Sequence, residues 1–210
     1  WGEPLGAKTL EGISAYLEFV REKNESVNLT ADAAWDDLVL KHAADGVFAA
    51  SILRKRLPPA PRILDLGSGA GFIGIVLKLV WPEAQVTLME SVERKYRFLN
   101  AAATRAGLPG LRVLNRRAGS GAALTSYELD HDCVVERALA ELPEALRLAR
   151  PMVGRKGLIA AFQSDEPDPA EPALAKALAA TGVTLLQSCA YRRPGEARDR
   201  RLVLFERKEN

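Results

Sequence analysis

Cysteine is scarce in this chain, with Cys133 and Cys189 the only two among 210 residues. They lie far apart, without metal-ligand spacing and without the density of a disulfide-stapled secreted scaffold. Both therefore read as reduced, buried thiols of a cytoplasmic protein, and no metal is expected. Long apolar runs are lacking as well. None approaches the roughly 20 residues of a membrane-spanning helix, and no charged start followed by an apolar segment and a small-residue site resembles a signal peptide. The chain begins at Trp1 rather than Met, as a trimmed form does. Nor is there an excess of charge of one sign: 29 Lys and Arg face 27 Asp and Glu, a net charge of +2. Affinity for nucleic acid has to come from local basic patches. No segment repeats at a fixed period, and the one biased stretch is the acidic, proline-bearing loop 163–172.

What is present, at 48% hydrophobic residues, is enough to build one sizeable core. Helical patterns at residues 8–23, 33–40 and 43–56 form an N-terminal extension, residues 1–58, with Thr30 or Asp32 as the cap of the second helix. The extension is either a structural collar or a cap over substrate. From residue 59 onward, β-type apolar runs at 62–66, 85–89, 111–115, 133–135, 158–162, 183–191 and 201–206 alternate with helical patterns at 72–80, 92–106, 142–148 and 171–180. Such alternation predicts an α/β fold with a mostly parallel seven-stranded sheet covered on both faces. The short link 192–200 has no room for a helix, so the last two strands should form an antiparallel terminal hairpin.

The first predicted strand runs into Asp65, Gly67, Ser68, Gly69, Gly71 and Phe72. Glycine accepts positive φ and lets a ligand approach the backbone, and unpaired amides of a helix starting near Gly71 suit an anionic or zwitterionic group. Gly69, Gly71 and Gly74 also spell the G-x-G-x-x-G of dinucleotide folds. Asp65 decides between the two, since a carboxylate at the strand end repels a pyrophosphate and attracts the ammonium of S-adenosylmethionine. The expected fold is thus the Rossmann-like, class I S-adenosylmethionine-dependent methyltransferase fold.

Ligands in such sheets bind beyond the carboxyl ends of the strands. Glu90, followed by Ser91, ends the second strand and suits the two ribose hydroxyls. Residues 115–118, with Arg117 and Ala118, lie beside the adenine, and Arg116 or Arg117 is otherwise simply solvated. Arg137, after the fourth strand, can anchor a phosphate or a purine edge with its planar fork, or else pairs with Glu136 or Glu141. The Asn/Asp-Pro-Pro-aromatic run that amino-group methyltransferases often carry at this corner is missing, which makes an exocyclic amine a poor acceptor. Basic clusters stand at residues 54–56, at 116–117 and on Arg192, Arg193, Arg198, Arg200 and Arg201, the last group at an edge where an RNA backbone could be held.

Several pieces together resemble the ribosomal RNA guanine N7 methyltransferases known as glucose-inhibited division protein B or RsmG. Asn24 with Asn28, Leu29, Thr30 and Ala31 is similar to that family's N-terminal signature, Lys41 and His42 with Asp45 to its next helix, and residues 63–74 to its donor loop. Arg117 and Ala118, Arg137 and Ala138 with Leu142 and Pro143, and residues 201–203 are similar to its third, fourth and last strand pieces. The resemblance implies an enzyme that methylates guanine N7 in 16S ribosomal RNA or the small ribosomal subunit, with S-adenosylmethionine as donor; a monomer is expected. Gly67, Phe72, Ala118 and Arg137 would contact the donor, and Lys41, His42, Arg137 and Arg201 would line the RNA side. Guanine N7 carries a free lone pair, so no general base is required and His42 is not expected to accept a proton. The chain departs from the family at Lys23, Gly46, Gly119, Glu136 and at Gln163 with Ser164. An anion at Glu136 and a lost cation at Gln163 are expected to make the acceptor pocket more negative. A divergent member with altered substrate or little transfer, and a small-molecule methyltransferase or dinucleotide enzyme on the same scaffold, are the alternatives.

Overall fold

The computed structural model describes residues 4–208 apart from 122, 126 and 127; Trp1 lies outside the described residues. The N-terminal segment folds as α1 (Ala7–Val27), α2 (Trp35–Asp37), a π-helical turn (Leu38–Ala43) and α3 (Ala44–Leu53). Next come β1 (Arg62–Leu66), α4 (Gly74–Val80), β2 (Gln85–Glu90), α5 (Glu93–Ala106), β3 (Leu111–Asn115) and β4 (His131–Arg137). The chain closes with α6 (Leu142–Ala149), a 3-10 turn (Arg150–Met152), β5 (Val153–Gln163), α7 (Pro172–Thr181), β6 (Val183–Tyr191) and β7 (Arg200–Arg207).

All seven expected strands form, in the order β3-β2-β1-β4-β5-β7-β6. The β1 to β5 pairings are parallel and β7 runs antiparallel to both β5 and β6, as the short link between the last strands requires. Strand alternation sends Ile63, Cys133, Val135, Leu202 and Leu204 to one face, against α1, α3, α4 and α5. Leu64, Leu66, Val134, Val203 and Phe205 face α6 and α7 on the other. Both cysteines are buried. Each fully buried Leu or Ile of these layers contributes about 1.5 to 3 kcal/mol.

The N-terminal helices differ in detail from the expectation. The second and third run together, because the π turn carries the chain from α2 into α3 without a break. Neither Thr30 nor Asp32 caps α2, whose cap position is Ala34 with no side-chain bond. Thr30 Oγ1 accepts from the Asp32 amide at 3.1 Å instead, a local turn that competes with capping. Asn24 closes α1 onto the turn: its Oδ1 accepts from the amides of Leu29 (2.8 Å) and Thr30 (2.9 Å), while Asn28 takes the left-handed conformation at φ 55° that Asn tolerates. No helix among the described residues is long and apolar enough to cross a membrane.

Candidate active site

At the carboxyl edge of β1, Asp65 is buried and its Oδ2 accepts the Gly74 amide at 2.9 Å. The loop between them holds its shape through backbone bonds. The amides of Gly67 and Ser68 both donate to the Met89 carbonyl (2.9 and 3.0 Å) and that of Gly71 to the Ser68 carbonyl (2.7 Å). Gly67, Gly69 and Gly71 all lie at positive φ (73°, 59° and 88°), where an L side chain is strained. Gly74 is required by space: a Cβ there would stand 2.3 Å from Leu88 Cδ2 and 2.8 Å from Asp65 Oδ2. Helix α4 begins only at Gly74, later than expected, and Asp65 takes its first amide, so that group is not left for a ligand. Burial lifts Asp65 to about 6, against the lowering effect of the Gly74 amide and Arg137.

Glu90, buried at the end of β2, joins this loop. Its Oε2 accepts from the Gly69 amide (2.9 Å) and its Oε1 from the Val92 amide (2.7 Å). The Tyr16 hydroxyl of α1 donates to the Ala70 carbonyl at 2.8 Å, tying the N-terminal helix to the loop's tip. Beside it opens a cleft of about 260 Å³ lined by Leu66, Gly67, Met89, Ser91, Arg117 and Ala118, together with Arg116, Leu139 and Leu148. Arg116 is held to Glu128 at 2.6 Å.

Across the sheet edge, a second group converges on Arg137. One of its Nη atoms donates to Asp45 Oδ2 (2.8 Å) and the Lys41 carbonyl (3.3 Å), and the other to His42 Nδ1 (3.1 Å). An accepting Nδ1 leaves the proton of a neutral imidazole on Nε2, 3.2 Å from Thr30 Oγ1. Burial, then the Arg137 charge, lowers His42 to about 4. The ring stacks on Phe72 at 4.1 Å and 6°. Lys41 and His42 sit on the π turn, a feature frequent at functional sites. The Lys41 ammonium turns away to Asp37 (2.9 Å) and Asp32 (3.3 Å), and those bonds raise its pKa.

Asp45 is the centre of this group. Fully buried, it accepts from Arg137, from the Tyr191 hydroxyl (2.6 Å) and from Arg193 Nε (2.9 Å) and Nη2. The alternative for Arg137 is corrected here: its ion pair is with Asp45, not with Glu136 or Glu141. The basic cluster of the terminal hairpin is corrected too, because Arg193 is buried against Asp45, Arg192 pairs with Asp199 and Arg200 with Glu196. Arg201 stands apart from Arg137, paired with Glu166. Nothing in the pattern around Asp45 beyond its helix assigns it a role, yet a lone acid inside the apolar stretch 43–53 is the signal that marks a buried, paired carboxylate.

Glu136 overturns the expectation of a more negative acceptor pocket. Strand alternation puts it on the face opposite Arg137, in register with Leu66, and it is fully buried. Burial, with Asp65 adding to it, lifts the carboxyl to about 7, so it is no fixed anion at neutral pH. Among the described residues no group of three or more His, Cys, Asp or Glu is placed to hold a metal ion.

Comparison with known proteins decides the family. The GidB model, described as rRNA small subunit methyltransferase G, matches residues 9–193. The chain belongs to this family. A Ribosomal RNA small subunit methyltransferase G of Desulfitobacterium hafniense (strain Y51) is 30% identical over 203 residues, covering 97% of this chain and 83% of the relative. That of Lactococcus lactis subsp. cremoris (strain MG1363) is 30% identical over 98% of this chain and 85% of its own length. Among solved structures, magnesium protoporphyrin IX methyltransferase from Synechocystis PCC 6803 superposes with a TM-score of 0.64 at 12% identity, over 92% of this chain and all of that one. That likeness shows the methyltransferase fold, as the sequence led one to expect.

Proposed function

We propose that this chain transfers a methyl group from S-adenosylmethionine to N7 of a guanine in 16S ribosomal RNA, with the loop between Asp65 and Gly74 as donor cradle and Arg137 as the residue that orients the acceptor. Membership of the family makes it an S-adenosylmethionine-dependent rRNA methyltransferase. The glycine cradle fits that donor: Gly67, at positive φ, lines the cleft with bare backbone, and Glu90 holds the Gly69 amide next along the loop. Asp65, Gly67, Ser68, Gly69, Gly71 and Phe72 with Glu90, Ser91, Arg117 and Ala118 would hold it. When bound, the donor supplies an electrophilic sulfonium methyl group.

The observation that carries the acceptor side is the contact between Arg137 and His42 Nδ1. With Nδ1 accepting from Arg137 and its pKa near 4, His42 orients rather than titrates. That suits a nucleophile which already has a free lone pair and needs positioning and electrostatics, not a base. Arg137, its guanidinium 5.7 Å over the Phe72 ring and only partly exposed, would orient a purine edge with the donor hydrogens that Asp45, Lys41 and His42 leave free. Lys41 and Arg201, each paired at the surface, would add salt-sensitive backbone affinity. The test is transfer of radiolabelled methyl to small ribosomal subunits lacking the modification, followed by mapping. One labelled guanine N7 is expected; label on another atom, or none with donor binding intact, would overturn the reading.

A further inference from the structure

We propose that Glu136 reads the base of the donor, its carboxyl accepting a hydrogen bond from the exocyclic amino group of adenine. The inference rests on the donor reading above. An adenine entering a buried slot brings an amino group that needs an acceptor. None of the side chains lining the cleft is a carboxylate, yet one lies directly behind its wall. Leu66, the β1 register partner of Glu136, lines the cleft. So does Leu139, whose amide donates to Glu136 Oε2 over a long 3.3 Å.

The other oxygen, Oε1, is fully buried and has no hydrogen-bond partner. Among the described residues Glu128 Oε1 is the one other such atom, and it lies 2.6 Å from Arg116 Nε. Among the described residues Glu136 is therefore the one whose buried side-chain acceptor has nothing on it. A structural role does not account for this, because a half-satisfied buried acid destabilises the fold. An RNA contact does not either, because Glu136 is on the face opposite Arg137.

Leu139 lies over Gly67, with its Cδ1 2.6 Å from where a Cβ would stand, and Ala138 is in the left-handed region at φ 57°, uncommon for alanine and a mark of strain. In this proposal Leu139 moves off Gly67 as adenine enters, so that the carboxyl meets the cleft. The departures of the chain fit as well. Where the family resemblance calls for an acid after Ala118 this chain has Gly119, at φ 70° and with Leu148 Cδ2 2.8 Å from its missing Cβ. An acid is thus absent from the third corner and present at the fourth, and both Ala118 and Leu148 line the same cleft. With its pKa near 7, Glu136 is present in both protonation states at neutrality, and each keeps an acceptor oxygen.

The test compares affinities for S-adenosylhomocysteine and S-inosylhomocysteine, in which a carbonyl replaces the amino group, by calorimetry on the full chain. The wild type should prefer the adenosyl ligand by about tenfold or more, as loss of one buried hydrogen bond predicts. Glu136→Gln, which keeps an acceptor, should retain the preference, and Glu136→Ala should reduce it to about twofold or less. An equal preference in Glu136→Ala and wild type, or no preference in the wild type, overturns the proposal while leaving the donor site in place. Failure of the wild type to bind either ligand overturns the donor reading and this inference with it.

Discussion

The two halves of the site are built in opposite ways. On the donor side, Asp65, the glycines and Gly74 lie within ten consecutive residues, and every bond that shapes the loop has a backbone group of the loop at one end. On the acceptor side, His42, Asp45, Arg137, Tyr191 and Arg193 come from three separated stretches, 42–45, 137 and 191–193, and are joined to one another through side chains. A backbone cradle tolerates change in neighbouring side chains and fails when a glycine is lost. A charge cluster fails when any one member is lost, because its partners are left buried and unpaired.

Substitutions separate the halves by size of effect. Asp45→Asn should be the most damaging to stability, costing about 3 to 5 kcal/mol, as expected when a buried ion pair is broken from one side. Urea unfolding checks this. If the cost is below about 1 kcal/mol, Asp45 is not the anchor of the acceptor side.

Glu136 gives a pH signature of its own. Its folded pKa, about 7, lies above the unfolded 4.5, so the folded state holds the extra proton between those values. Stability from this group is therefore full below about pH 4.5 and declines as pH rises toward 7, by ~3 kcal/mol in all. Glu136→Gln should remove that decline and leave the protein more stable at pH 8; a variant no more stable than wild type there would contradict it. His42 works in the other direction: with its folded pKa lowered from 6.5 to about 4, its contribution is full above pH 6.5 and fades as pH falls.

Gly46→Ser should cost roughly 1 to 3 kcal/mol as an overpacked contact. Its Cβ would stand 2.7 Å from Val76 Cβ and 2.9 Å from the Phe72 carbonyl, which draws α3 tightly against α4. Thermal unfolding measures it, and an unchanged midpoint would show that the two helices give way. The smallest effect is on the donor side. Glu90→Gln retains one acceptor of two, so donor affinity should fall about tenfold, ~1.4 kcal/mol, with little loss of stability. Calorimetry with S-adenosylhomocysteine reads it, and unchanged affinity would remove Glu90 from the cradle.

The same contrast explains what could be read from sequence. The strands, their order of direction and the donor loop were legible because each is a local pattern: an apolar run, an acid at its end, glycines where φ must be positive. The π turn was not, since the residues 33–40 and 43–56 carry ordinary helical periodicity and nothing in it shows one extra residue in a turn. Arg193 looked like one more cation of a solvated hairpin until the fold brought Asp45 beneath it. Glu136 looked like an anion at the acceptor pocket because it adjoins Arg137, although one step along a strand reverses the face. The cap of α2 was missed because Thr30 satisfies a nearer amide.

The division of labour is tested most directly by Arg137→Ala, measured for both S-adenosylhomocysteine affinity and methyl transfer to small ribosomal subunits lacking the modification. Donor affinity within about threefold of wild type, with turnover lowered by roughly a hundredfold or more, is the expected result for a residue that positions the acceptor. Wild-type turnover, or loss of donor binding in step with loss of transfer, would contradict the separation of a backbone donor cradle from a side-chain acceptor cluster.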